Sequence, residues 1–177
     1  MKSKFNKEYL KLIFVVAVLL IILFAFIIYV SYPLLSVKKA VLATQPIDPF
    51  DPLRGQYVVI RYEINSIPLV QGAKVRDSIY VTLVDDGEGI SRYVEASLNK
   101  PSKDKLFIRG EAVSIDMNTM RVEYGIEQYF FERGARFESR VSEVEVKLSD
   151  SGASRINQLL SNGEPVKIIY ENKTWGS

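Results

Sequence analysis

The sequence predicts a mainly β protein: a small β-barrel or β-sandwich domain behind a single N-terminal transmembrane helix. Three observations lead there. One uninterrupted apolar run near the N-terminus is long enough to cross a bilayer. Beyond it, apolar residues recur at every second position, the period of a strand. The alternating segments are short, and turn compositions separate them.

The apolar run is Leu12–Val30, 19 residues without Gly, Pro or charge. As a helix it spans roughly 28 Å, close to the thickness of a hydrocarbon core. Tyr29 and Tyr32 stand at its far end, where amphipathic rings favour the interface, and Pro33 stops the helix. A cleaved signal has a shorter apolar region ending near small residues. Here the nearest such site, Val41-Leu42-Ala43, lies well beyond the run and after two lysines. Lys2, Lys4, Lys7 and Lys11 precede the run, and only Lys38 and Lys39 follow closely. The positive-inside bias then predicts a cytoplasmic tail at residues 1–11 and a membrane span at 12–30. A short linker follows at 31–36, then an extracytoplasmic domain at 37–171 and a tail at 172–177.

The outer segment reads as strands. A first one is expected at about Lys39–Thr44. In Gln56–Ile64, Val58, Ile60, Tyr62 and Ile64 share one face, while Tyr57, Val59, Arg61 and Glu63 share the other. Ile79, Val81 and Leu83 alternate with polar neighbours. Arg92–Leu98 places Val94, Ala96 and Leu98 on one face. Leu106 and Ile108 are in one phase and Val113 and Ile115 in the other, with Gly110 at the change, which suggests a bulge or bend there. Val122, Tyr124 and Ile126 make another face, as do Val144, Val146 and Leu148, and Val166–Tyr170 closes the chain. Asp85–Gly89, Ser149–Gly152 and Asn162-Gly163 are turn compositions. Ala135–Ser142 and Ala153–Leu160 fit helix or strand. The second also fits a hairpin with Val144–Leu148, which we favour.

Composition excludes several chemistries. The chain has no cysteine and no histidine. Disulfide frameworks, zinc-finger spacings and Ser-His or Cys-His catalytic pairs are therefore ruled out. Of 23 basic and 21 acidic side chains, four and one lie in the N-terminal tail, leaving 19 and 20. A near-neutral domain does not offer the clustered basic footprint that nucleic acid needs. Neither a cofactor loop nor a metal-ligand spacing is present.

The stretch Pro46–Gly55 is a corner by its chemistry. Asp48-Pro49 and Asp51-Pro52 push each aspartate out of the helical region and fix the next φ. Both aspartates suit Asx turns, and Gly55 permits geometry that other residues resist. Arg54 and Arg61 flank this corner and suit a carboxylate or phosphate partner. Tyr57, beside Arg61 on its strand face, suits a groove wall. Glu127 joins Arg54, Tyr57 and Arg61 as a binding candidate, and Asp48, Asp51, Glu127 and Glu132 are the carboxylates from which a paired acid–base site would be drawn. Each also has a structural use: surface ion pairs for the arginines, cross-strand packing for Tyr57, turn capping for the aspartates.

Gly55–Tyr62, G-Q-Y-V-V-I-R-Y, resembles the signature of a bacterial membrane-anchored family named for its motif, GDYXXLXY. Tyr124–Phe130, Y-G-I-E-Q-Y-F, is similar to the family's later block. The resemblance covers about Leu12 to Leu160. Gln56 stands where the family has Asp and Ile60 where it has Leu. A neutral amide neither takes a proton as a base nor adds charge to a metal site, so this departure favours a structural position. The resemblance implies no activity. It does imply a partner, because the family's genes often lie beside genes for multi-span membrane proteins. The expected function is thus a membrane-anchored extracytoplasmic binding or accessory module, acting on another membrane protein or an envelope component. A carboxylate-dependent envelope hydrolase is the alternative. Assembly through the span itself is a third possibility, weakened by the lack of small-residue spacing in it.

Overall fold

The computed structural model describes residues 2–31, 38–45, 57–132 and 135–170. A helix, α1 (Lys2–Ser31), opens the chain. The strands follow in order: β1 (Lys38–Gln45), β2 (Tyr57–Val59), β3 (Arg61–Tyr62), β4 (Ser66–Pro68), β5 (Ser78–Asp85), β6 (Ser91–Ser97) and β7 (Leu106–Ile115). The remainder are β8 (Thr119–Glu123), β9 (Gln128–Phe130), β10 (Ala135–Phe137), β11 (Glu143–Leu148), β12 (Ser154–Ser161), β13 (Glu164–Pro165) and β14 (Ile168–Tyr170). A 3-10 turn, Glu63–Asn65, links β3 to β4.

α1 continues through the basic tail, so its apolar run is the outer part of one 30-residue helix. The segment Tyr9–Ser31 is long and apolar enough to cross a membrane. Its large apolar side chains from Tyr9 to Val30 point outward all round. A helix apolar on every face needs an apolar surround, which is the condition of a membrane span.

The strands form a nearly closed, barrel-like sheet. One antiparallel run has the order β13-β12-β11-β1-β3, and the other has β4-β8-β7-β5-β6. The chain joins them at one side through the 3-10 turn. At the other side Val41 N–H donates to Ser91 Oγ at 3.3 Å, drawing β1 against β6. β1 therefore divides its second edge: Thr44 and Gln45 pair with β3, and the earlier residues face β6. Near-closure leaves little open edge for another chain to pair with.

The alternating faces meet inside. Ile79, Val81, Ile108, Val122, Val144, Val146 and Leu148 are fully buried, with Leu42, Ile67 and Met120 between them. Each such side chain stabilises the fold by about 1.5–3 kcal/mol on burial. Val58, Ile60, Tyr62 and Ile64 are all buried too, although the expected strand Gln56–Ile64 is broken. Ile60 lies between β2 and β3, and the 3-10 turn ends the run. Ala153–Leu160 is a strand paired with β11 through a hairpin, and Ala135–Phe137 is a strand paired with β14.

Two expectations are corrected. Val94 does not face the core and is 51 % exposed. Thr82 pairs with Glu95 and Leu83 with Tyr93, so Val94 is the extra residue of a bulge. The phase change in β7 is not at Gly110. Ala112 pairs with Val122 and Ser114 with Arg121, which makes Val113 the bulged residue. Gly110 has another reason: a Cβ there would lie 2.4 Å from Val122 Cγ1 and 2.7 Å from the Glu123 carbonyl oxygen.

Candidate functional site

The described part of the first sequence block, 57–62, and the second block, Tyr124–Phe130, come together in space. β2 and β9 pair antiparallel, with Tyr57 opposite Phe130, Val58 opposite Tyr129 and Val59 opposite Gln128. Ile60 N–H extends the contact by donating to the Glu127 carbonyl at 2.7 Å.

Behind this ribbon two tyrosines interlock. Tyr62 is 0 % exposed, and its hydroxyl donates to the Ile126 carbonyl at 2.8 Å. Tyr124, also buried, donates its hydroxyl to the Ile64 carbonyl at 2.6 Å. Each ring thus reaches across to the backbone that carries the other. A buried phenol must find such a partner, and here the partners are reciprocal. Burial pushes both hydroxyls well above the ordinary phenol range, with the nearby Glu127 charge adding to the effect.

Asn65 fastens the same region. Its side-chain oxygen accepts from Tyr62 N–H at 2.6 Å, and its amide donates to the Val122 carbonyl at 2.7 Å and to Glu127 Oε1 at 3.2 Å. Glu127 Oε1 also accepts from Tyr124 N–H at 2.6 Å. The half-buried carboxylate therefore closes a loop of hydrogen bonds from one block to the other. Ser154 Oγ donates to the Tyr124 carbonyl at 3.2 Å, tying β12 into the cluster.

The expected site residues divide accordingly. Glu127 turns inward to Asn65 and Tyr124. Arg61 is exposed on β3 opposite Gln45, and Tyr57 opens β2. Arg54, with the corner residues Asp48, Asp51 and Gly55, lies outside the described residues. Asn65 was missed from sequence, because it looked like an ordinary polar strand end. The two phenols gave no signal for it, because their partners are the Ile126 and Ile64 carbonyls, whereas Asn65 holds backbone groups and Glu127.

A cleft of about 300 Å³ lies elsewhere, between β1, β6 and the 3-10 turn. Arg92 stands at its rim and is ion-paired to Glu63 and, at 3.0 Å, to Asp86. The Asp86 carboxyl is held below its usual range, first by the Glu88 N–H and then by Arg92. Two carboxylates around one guanidinium leave this rim acidic. Among the described residues, no group of three or more His, Cys, Asp or Glu side chains is arranged to hold a metal ion.

No curated protein and no solved structure shows significant similarity to this chain. The sequence profile described as "GDYXXLXY protein" matches residues 19–159, which takes in the outer half of α1, both interlocked blocks and β12 as far as Leu159. The chain belongs to the GDYXXLXY family.

Proposed function

We propose that this chain is a single-span membrane protein whose barrel serves as an extracytoplasmic binding or accessory module. Its partner is another membrane protein or an envelope component at the bacterial inner membrane. The observation that carries this reading is the helix with apolar side chains outward on every face, joined by a short connection to a near-neutral barrel. Such a chain works where its anchor holds it. The tail lysines favour a cytoplasmic N-terminus and put the barrel on the opposite side.

The interlock supports a scaffold role for the family blocks. Glu127 accepts N–H bonds from Tyr124 and Asn65, the use of a structural carboxylate, so the hydrolase alternative gains nothing from it. Recognition then falls to exposed Arg61, and to Arg54 and Tyr57 near it in sequence.

Crosslinking in native membranes tests this. Wild type is expected to recover one membrane or envelope protein reproducibly. An Arg54→Ala, Tyr57→Ala, Arg61→Ala variant of unchanged melting temperature is expected to lose it. Equal recovery from both would remove these residues from the docking surface.

A further inference from the structure

β1 begins at Lys38, and only residues 32–37 separate it from the end of α1 at Ser31. Seven Cα steps reach at most about 25 Å. Whatever the path, the start of β1 stays close to the bilayer surface in which the helix ends.

That end of the barrel is cationic in an ordered way. Lys39 pairs across β1–β11 with Lys147, and Lys147 pairs across β11–β12 with Arg155. Three cations thus form one row across three adjacent strands, on the outer face, one residue from the entry point. Like charges directly opposite one another destabilise a sheet. Lys38 beside them donates to the Lys103 carbonyl, and Arg109 N–H donates to the Gly152 carbonyl in the neighbouring turn. Lys38 thus adds a fourth cation beside the row, and the carboxylates of Glu145 and Asp150 stand among them. Lys39 pairs with Glu145 at 3.1 Å and Lys38 with Asp150 at 3.5 Å. Toward the other end of β1 the charges are mixed: Ala43 lies opposite Glu143, Gln45 opposite Arg61, and Glu63 and Asp86 flank Arg92 nearby.

We infer that the Lys39–Lys147–Arg155 row docks the barrel onto anionic phospholipid headgroups of the leaflet in which α1 ends. The tether holds the row within reach of that surface, and the negative surface potential attracts its cations. Each cation near such a surface shifts the docked population by roughly fivefold. The row orients the barrel, so the far end of β1 faces away from the membrane. This inference rests on the anchor and not on the identity of a protein partner.

The test uses the full chain in lipid nanodiscs. The sequence has no cysteine, so Ser151→Cys gives a single labelling point in the exposed turn between β11 and β12. Quenching of a fluorophore there by headgroup-labelled lipid is compared between phosphatidylcholine discs and discs that also contain phosphatidylglycerol. Stronger quenching in the anionic discs, lost at high salt, is expected. Lys39→Gln, Lys147→Gln, Arg155→Gln should abolish the difference at unchanged melting temperature, and Arg155→Gln alone should reduce it about fivefold. Equal quenching of the wild type in both discs, or a folded triple variant that keeps the difference, would overturn the inference. A chain that fails to enter discs at all would remove the anchor, and the docking with it.

Discussion

Tyr62 and Tyr124 differ from ordinary core aromatics in what their hydroxyls hold. Tyr62→Phe keeps the ring but leaves the Ile126 carbonyl without its donor in a buried place. The expected cost is about 1–3 kcal/mol, and Tyr124→Phe should cost the same at Ile64. Thermal unfolding should show each substitution lowering Tm, and a shift below one degree would deny the clasp any energetic weight. The pair also makes a pH prediction. Both phenols are raised in the folded state, so both states are protonated below the ordinary value of 10.0 and stability is fully present there. Above it the unfolded chain ionises first, and stability falls as pH climbs toward the folded values. Tyrosinate absorbance should therefore show two phenols that ionise only together with unfolding. At Glu127, replacement by Ala strands the Tyr124 N–H and should destabilise by about 1–3 kcal/mol. Glu127→Gln keeps an amide oxygen for that N–H and should cost less. Equal losses would mean that charge, not hydrogen bonding, is what the position supplies.

At the scale of elements, the β11–β12 hairpin turns on Gly152. Its φ is +81°, and a Cβ there would lie 2.8 Å from the Phe107 ring and 3.0 Å from Arg109 N. Gly152→Ala meets both left-handed strain and a clash with a neighbouring strand, at about 2 kcal/mol or more. Its Tm should fall by roughly 5 °C or more, and an unchanged value would sink this account of the turn. The strand faces of β5, β8 and β11 were legible in sequence because alternation alone sets them, as Ile79, Val122 and Val146 illustrate. The bulges at Val94 and Val113 were not, because an extra residue shifts the phase only when a partner strand is present to define it. Near-closure was legible as one of two options, barrel or sandwich, and the choice between them depends on β1 meeting both β3 and β6. For the site, the two blocks were legible as blocks. The inward turn of Glu127 was not, since it depends on Asn65, which reaches it from 62 residues away in the chain.

The whole molecule joins an exposed apolar helix to a barrel with a row of cations across β1, β11 and β12. The orientation expected from the tail lysines predicts that an enzyme reporter active only outside the cytoplasm, fused after Ser177, gives signal. A silent fusion of well-expressed protein would place the barrel inside. The arrangement also has a consequence in time. β1 is the first strand to leave the ribosome, yet its ladder partner is β11, and Lys39 meets Glu145 across 106 positions. At about 5–20 residues per second, the anchor has been made for roughly 5–20 seconds before β11 exists. For that interval the edge of β1 that faces β11 has no ladder partner, although β3 and β6 on its other edge are made before β11.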